Sequence, residues 1–267
     1  MISDKKLPHA IFLDIDGTLM HHGHFNALKG GEIPQKNVDA IKRARELGHK
    51  VIINTGRGYF CLPDCIHSQC GFDGFVTGLG ALVSIDGKEI YNNPIKHSDI
   101  KDLISFLKEN KKGCRFQTSV GAFIYDKNDI MFYSDYWRRV SSAEELIELL
   151  GCGFVEKLTI DYGIEGEYLD FLKEKFSVVC YYGDCGEATA LGNTKAGGVE
   201  KALSALGIPR ERSIAMGDSL NDLDVLKFAG TSVATENGNP EIKKMCDMVT
   251  LSDVDGGVGY AIEKLLL

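Results

Sequence analysis

Short apolar runs that stop abruptly at a carboxylate or a small polar residue recur along this chain, and they do most to narrow its fold. Ala10-Ile-Phe-Leu13 ends at Asp14, Val51-Ile-Ile53 runs into Asn54-Thr55-Gly56-Arg57, and Ser213-Ile-Ala-Met216 ends at Gly217-Asp218. Unbroken apolar runs suit strands covered on both faces, the situation of a parallel sheet. Helix signals lie between them. Pro34 stands at a helix start, Val38, Ile41, Ala44 and Leu47 keep helical spacing, and Gly48 supplies the stop. The same alternation returns after Thr194, with a helix over Gly198 to Leu206 and strands at Ser213 to Met216, Thr231 to Ala234 and Asp247 to Thr250. The pattern predicts an α/β fold whose core is a doubly wound, Rossmann-like parallel sheet.

The middle of the chain breaks that rhythm. Gly74-Phe-Val-Thr-Gly78 reads as a third strand, Ile85-Asp-Gly-Lys88 as a hairpin turn, and Ile100-Lys-Asp-Leu-Ile-Ser-Phe-Leu-Lys108 as an amphipathic helix. Strand-like and helix-like pieces then alternate to about residue 190 without a repeat or a low-complexity linker. The expectation is a core of residues 1–84 and 190–267 interrupted by an inserted α+β domain over 85–189. A chain of 267 residues can bury two such cores.

Composition excludes several classes of partner. The net charge is −8 with no block of basic residues, which argues against a nucleic-acid or anionic-membrane surface. The apolar run before Asp14 is too short for a signal-peptide core, and no stretch approaches the length that spans a bilayer. A cytoplasmic protein acting on a small molecule, as monomer or homodimer, is expected. Of the eight cysteines, Cys61, Cys65 and Cys70 cluster with His67. They lack paired short spacings, so buried free thiols are expected rather than zinc ligands.

In an open α/β sheet ligands sit beyond the carboxyl ends of the strands, so the residues after each apolar run should form one site. Asp14 and Asp16 stand two apart where a strand gives way to a loop; if the chain stays extended, both acids face one centre. A carboxylate there can attack phosphorus while its neighbour acts as general acid and then base. Gly217-Asp218-Ser-Leu-Asn221-Asp222 adds hard oxygen ligands suited to Mg²⁺. Thr55 with the Gly56 amide can hold phosphoryl oxygens, and Lys195 offers a fixed cation. Singly, each has an ordinary explanation: a polar turn, a helix cap, a solvated lysine. Their joint occurrence at strand ends points to phosphoryl chemistry.

The sequence resembles the haloacid dehalogenase superfamily of phosphatases, and within it the Cof-type hydrolases with a type IIB cap. The resemblance rests on Asp14-x-Asp16-Gly-Thr18, Thr55-Gly-Arg57, Lys195 and Gly217-Asp218-x-x-Asn221-Asp222, supported by Ala229 to Ala234, Asn237, Asp247 to Thr250 and Asp255 to Val258. It implies Asp14 as nucleophile and Asp16 as general acid/base. It further implies Mg²⁺ bound by the Asp14 side chain, the Asp16 carbonyl and the Asp218 side chain, with Asp222 in support. Thr55, Gly56, Lys195 and Asn221 would hold the transferring phosphoryl group. The implied activity is Mg²⁺-dependent hydrolysis of small phosphomonoesters, sugar phosphates or phosphorylated cofactors, through an aspartyl-phosphate. Asp16 replaces the threonine of superfamily members that store that intermediate, which favours turnover. The alternatives are a phosphotransferase like the phosphomannomutases, or a phosphometabolite-binding regulatory protein with little turnover.

The chain departs from the subfamily in places. Leu79 stands where an asparagine is usual at the cap entry, and Thr235 where methionine is common. A loop carrying His21, His22 and His24 follows the first motif; without an acidic partner nearby in sequence it reads as solvated. Within the insert, Tyr133, Tyr136-Trp-Arg-Arg139 and Tyr181-Tyr182 are expected either to pack on the cap sheet or to meet substrate.

Overall fold

The computed structural model describes residues 7–21, 32–126, 137–180 and 185–267. From the N-terminus the elements are β1 (Ala10–Leu13), α1 (Gln35–Glu46), β2 (Lys50–Asn54), α2 (Asp64–Ser68), β3 (Gly74–Thr77), β4 (Leu82–Ile85) and β5 (Lys88–Asn92). Next come α3 (His97–Asn110), β6 (Gly113–Thr118), β7 (Ala122–Asp126), β8 (Arg138–Arg139), α4 (Ala143–Leu150), β9 (Val155–Ile160), α5 (Gly166–Lys175), β10 (Phe176–Cys180) and β11 (Gly186–Ala190). The chain ends with α6 (Lys195–Leu206), β12 (Ser213–Gly217), α7 (Leu223–Phe228), β13 (Thr231–Ala234), α8 (Pro240–Met245), β14 (Met248–Val249) and α9 (Gly257–Leu265).

The first sheet has strand order β14-β13-β12-β1-β2-β3-β4-β5. All pairings from β14 to β3 are parallel, and β3-β4-β5 is antiparallel. Strand β1 is wholly buried because both faces are covered. Ile11 and Leu13 join Val51, Ile53, Ile41, Val258 and Ile262 on the α1/α9 side. Ala10 and Phe12 join Ile52, Val76, Val199, Leu203, Leu226 and Ile242 on the side of α6, α7 and α8. The doubly wound α/β expectation therefore holds.

The turn expected at Ile85 to Lys88 is present, with Asp86 and Gly87 both at positive φ (48° and 75°), the signature of a two-residue hairpin. That hairpin places the expected core boundary differently. Strand β5 lies beyond residue 84 yet hydrogen-bonds to β4 in the first sheet, so departure from this sheet comes after Asn92.

The second sheet has order β10-β11-β9-β6-β7-β8 and is antiparallel apart from β7-β8. Cross-strand rows alternate in character. Phe116, Leu158 and Ala188 stand side by side on β6, β9 and β11 and pack with Ile100, Leu103, Leu146 and Leu172 of the helices. The flanking rows, Arg115-Thr159-Glu187 and Gln117-Lys157-Thr189, are polar and occupy the opposite face. Register slips between Gln117 and Thr118, where Gln117 faces Lys157 but Thr118 faces Val155, leaving Glu156 as the extra residue of a bulge.

The two chain crossings between the sheets are tied together. Asn193 Nδ2 donates to the Asn93 carbonyl at 2.9 Å, while Asn93 Nδ2 and the Tyr91 hydroxyl donate to Asn193 Oδ1 at 2.9 and 3.2 Å. Nearby, Gly80 is left-handed (φ 89°), and a Cβ there would stand 2.1 Å from the Thr194 carbonyl oxygen, so only glycine lets the two segments approach.

Candidate active site

Parallel pairing brings the ends of β1, β2 and β12 to one edge of the first sheet, and Asp14, Thr55 and Asp218 lie just beyond those ends. Asp14, Asp218 and Asp222 are buried, and one carboxylate oxygen from each lies within 4.8 Å of the others. Among the described residues this is the group of acidic, histidine or cysteine side chains that could hold a metal ion.

Lys195 enters the cluster from the first turn of α6, where Thr194 caps the helix by accepting from the Gly197 amide. Its Nζ donates to Asp14 Oδ1 at 2.7 Å, to Asp222 Oδ1 at 2.6 Å and to Asn221 Oδ1 at 3.5 Å. Burial works against the ammonium, but the two carboxylates outweigh it and lift its pKa above the ordinary lysine range. Burial pushes the Asp14 carboxyl well up; Lys195 pulls it back, while Asp222, Asp218 and Asp16 add repulsion. Three buried carboxylates facing one ammonium leave excess negative charge of the kind a divalent cation would neutralise, so the donor set fits a hard metal.

Asp222 is committed on both sides. Its Oδ1 meets Lys195, and its Oδ2 accepts from the Asp218 and Ser219 amides at 3.2 Å each. A Cβ on Gly217 would come within 2.5 Å of Asp222 Cγ, so glycine is required at that strand end. Asp218 Oδ1 accepts from Thr18 Oγ1 at 3.3 Å. The loop after Asp16 is pinned at the Gly17 carbonyl, which accepts from Thr235 Oγ1 at 3.2 Å and Asn237 Nδ2 at 2.8 Å. Thr235, a departure in sequence, thus has a defined partner.

Asp16 is oriented differently from the extended i, i+2 expectation. Strand β1 stops at Leu13, and turns close at once, the Thr18 amide donating to the Ile15 carbonyl at 3.4 Å and Leu19 to the Asp14 carbonyl at 3.2 Å. Both Asp16 oxygens are taken by Arg57, Nε at 2.6 Å and Nη2 at 2.7 Å. Thr55 is buried, its Oγ1 accepting from the Arg57 amide at 3.1 Å. Gly56 sits beside the fourth motif, since a Cβ on it would be 3.6 Å from Asn221 Nδ2. Every residue proposed from sequence for catalysis or phosphate binding therefore reaches this sheet edge.

Sequence reasoning missed what the second sheet contributes. Gln117 Oε1 accepts from the Gly58 amide at 2.8 Å. The bulge residue Glu156, fully buried, accepts from the Tyr59 amide at 3.1 Å and from Thr77 Oγ1 at 2.8 Å. Burial pushes its carboxyl up to about 7 against those hydrogen bonds. Lys157 pairs with Glu187, whose Oε2 lies 2.9 Å from where a Gly56 Cβ would stand. A cleft of about 410 Å³ opens between the sheets, lined by Leu79, Val178, Val179, Lys195, Asn221 and Leu223 among others. Leu79 is buried and left-handed (φ 60°, ψ 35°), a conformation that favours glycine or asparagine.

His21 has an acidic partner after all, Asp253 Oδ2 at 3.0 Å, brought from the far end of the chain. His22, His24, Tyr133, Tyr136, Tyr181 and Tyr182 lie outside the described residues. Trp137 packs against the sheet, its ring centroid 5.0 Å from the Arg115 guanidinium carbon. Cys61, Cys65 and Cys70 are buried, and burial pushes the Cys70 thiol up to about 11. No helix among the described residues is long and apolar enough to cross a membrane.

Residues 11–262 match the family model of the haloacid dehalogenase-like hydrolases, so the chain belongs to that family and is an enzyme of the hydrolase class. It is 27% identical over 280 residues to YkrA of Bacillus subtilis (strain 168), covering 98% of each chain. It is also 27% identical over 259 residues to 5-amino-6-(5-phospho-D-ribitylamino)uracil phosphatase YcsE of the same organism, covering 96% of this chain and 95% of YcsE. Among solved structures it resembles the HAD subclass IIB sugar phosphatase BT4131, with a TM-score of 0.75, 25% identity and coverage of 96% of this chain and 98% of that one.

Proposed function

We propose that the protein is a Mg²⁺-dependent phosphatase of small phosphomonoesters, working through an aspartyl-phosphate on Asp14. The observation that carries this reading is the buried cluster in which Lys195 bridges Asp14 and Asp222 beside Asp218. Asp14 attacks phosphorus, and the bond to the ester oxygen breaks as Asp16, in its protonated form with one oxygen released from Arg57, delivers a proton to it. Water then attacks the acyl phosphate with Asp16 as base, releasing phosphate and restoring Asp14. Thr55, the Gly56 amide, Lys195 and Asn221 hold the phosphoryl oxygens, since charge neutralisation is the main task when one anion attacks another.

Mg²⁺ would be held by the Asp14 and Asp218 side chains and the Asp16 carbonyl, and it supplies charge neutralisation for the phosphoryl group. Asp222 supports that arrangement indirectly, because both of its oxygens serve Lys195 and the Asp218 and Ser219 amides. The inserted domain acts as a cap that shields the reaction from bulk solvent while leaving room for the one water that hydrolyses the acyl phosphate. Sugar phosphates or phosphorylated cofactors are the proposed substrates; the names of BT4131 and YcsE, a sugar phosphatase and a phosphoribityl-compound phosphatase, support that class.

The test is phosphate release across sugar phosphates, phosphorylated cofactors and nucleotides, with Mg²⁺ or chelator, beside Asp14→Asn. Release that requires both the metal and Asp14 is expected, the variant falling by about 10³-fold or more in kcat. No release from any member of the panel overturns the phosphatase reading. Interconversion of hexose phosphates without release would identify a phosphotransferase, and tight binding without turnover a regulatory protein.

A further inference from the structure

The polar face of the second sheet lies against the catalytic edge of the first, and its composition is costly unless it serves a ligand. Arg115, Gln117, Lys157, Glu187 and Thr189 are all less than a tenth exposed. Buried ion pairs recover little of their desolvation cost, and apolar residues of similar volume generally do as well for stability. Glu187 is the member nearest the chemistry. Its Oε2 comes within 2.9 Å of the point where a Gly56 side chain would begin, while Asn221 Nδ2 is 3.6 Å from the same point. Glu187 therefore hangs over the turn assigned to the phosphoryl group, with Lys157 paired to it from the neighbouring strand.

Aliphatic carbon lies close by. Leu79 Cδ2 stands 3.4 Å from that same Gly56 position, and the adjoining cleft mixes aliphatic Val178, Val179, Leu220 and Leu223 with polar Thr189, Asn193, Asn221 and Asp224. A ligand seated with its phosphoryl group at Gly56 thus meets hydrogen-bonding groups and aliphatic carbon together. A polyhydroxylated carbon skeleton, which carries both hydroxyls and C–H bonds, suits such a lining.

Resting on the phosphomonoesterase reading above, we propose that Glu187 and Lys157 recognise the leaving group. Glu187 accepts from hydroxyls on the carbons next to the phosphoester, and Lys157 donates to the same hydroxyl oxygens. The pair selects phosphates of polyhydroxylated alcohols over aryl phosphates. An alcohol lacking those hydroxyls forgoes the bonds that the Glu187–Lys157 pair offers, and polar sites discriminate by that difference.

The experiment compares kcat/KM for glucose 6-phosphate and ribitol 5-phosphate with that for p-nitrophenyl phosphate, in the native protein and in Glu187→Gln and Lys157→Met. The ratio of sugar or polyol phosphate to aryl phosphate should fall at least tenfold in each variant, with the change mainly in KM. Equal factors for both substrate types, as a merely structural role would give, overturn the proposal. Should Lys157→Met fail to fold, Glu187→Asp and Lys157→Arg keep the charges and shift the reach, and the same ratio decides. If the native protein hydrolyses nothing, the phosphatase reading falls, and calorimetric titration of glucose 6-phosphate and phenyl phosphate into Asp14→Asn with and without Glu187→Gln decides the recognition claim. A tenfold loss confined to the sugar phosphate supports it, and equal affinities defeat it.

Discussion

Arg57 grips Asp16 as a fork, with Nε 2.6 Å from one carboxylate oxygen and Nη2 2.7 Å from the other. Two parallel bonds from a planar guanidinium fix the direction of the carboxylate as well as its charge, which a lysine cannot do. Arg57→Lys should therefore keep the local charge but lose the orientation. The expected outcome is a fall in kcat of about tenfold with the Mg²⁺ half-saturation little changed, because in the proposed mechanism Asp16 would offer the metal its carbonyl and not this carboxylate. Steady-state kinetics over a Mg²⁺ series checks it, and a kcat matching the native protein would detach Arg57 from proton transfer.

Lys195→Met removes the cation between Asp14 and Asp222 and leaves buried carboxylates unopposed. Breaking such an arrangement costs about 3–5 kcal/mol. A divalent cation binding the same carboxylates should restore part of that loss by mass action. Thermal unfolding with Mg²⁺ and with chelator should show a larger metal-dependent rise in Tm for the variant than for the native chain.

At Leu79 the usual order of alanine and glycine should reverse. Both replacements lose a buried leucine side chain, but only glycine escapes the left-handed penalty of roughly 1–2 kcal/mol at φ 60°. Leu79→Ala is expected to destabilise the protein by about 1 kcal/mol more than Leu79→Gly, with Leu79→Asn between them. Urea denaturation of the three variants gives the order directly.

Glu156 links stability to pH with a definite sign. Burial raises its folded-state value to about 7, above the 4.5 of an exposed glutamate. Its contribution is fully present below the unfolded value, fades as pH climbs between the two, and is gone above the folded one. That window corresponds to about 3 kcal/mol. Denaturation midpoints from pH 4.5 to 8 should fall with rising pH more steeply in the native chain than in Glu156→Gln. Parallel curves would place the carboxylate's titration outside this range.

The catalytic edge of the first sheet was legible because β1, β2 and β12 each carry an apolar run with a chemical residue just beyond its end. Asp14, Thr55 and Asp218 could be read for that reason. The direction of Asp16 could not: its two-residue spacing from Asp14 speaks for an extended chain, and the turn closing at Thr18 cancels it. Nor could the roof be read. Arg115-x-Gln117 and Lys157-x-Thr159 look like the solvent side of half-buried strands, because alternation shows that a face is polar but not what lies against it. Glu156 is further hidden, since the bulge shifts the alternation that would assign its face. Asp253 as partner of His21 depends on an encounter between distant parts of the chain, for which local sequence holds no sign.

The bonds joining Asn193 to Asn93 and Tyr91 make the insert a loop from the standpoint of the first sheet, because it leaves and re-enters at neighbouring points. A loop with pinned ends can lengthen or change its contents at small entropic cost, which grows only with the logarithm of its length. The insert can therefore be exchanged while the folding of the first sheet is left intact. New specificities can arise on this scaffold by transplanting whole pieces of chain between those two anchors.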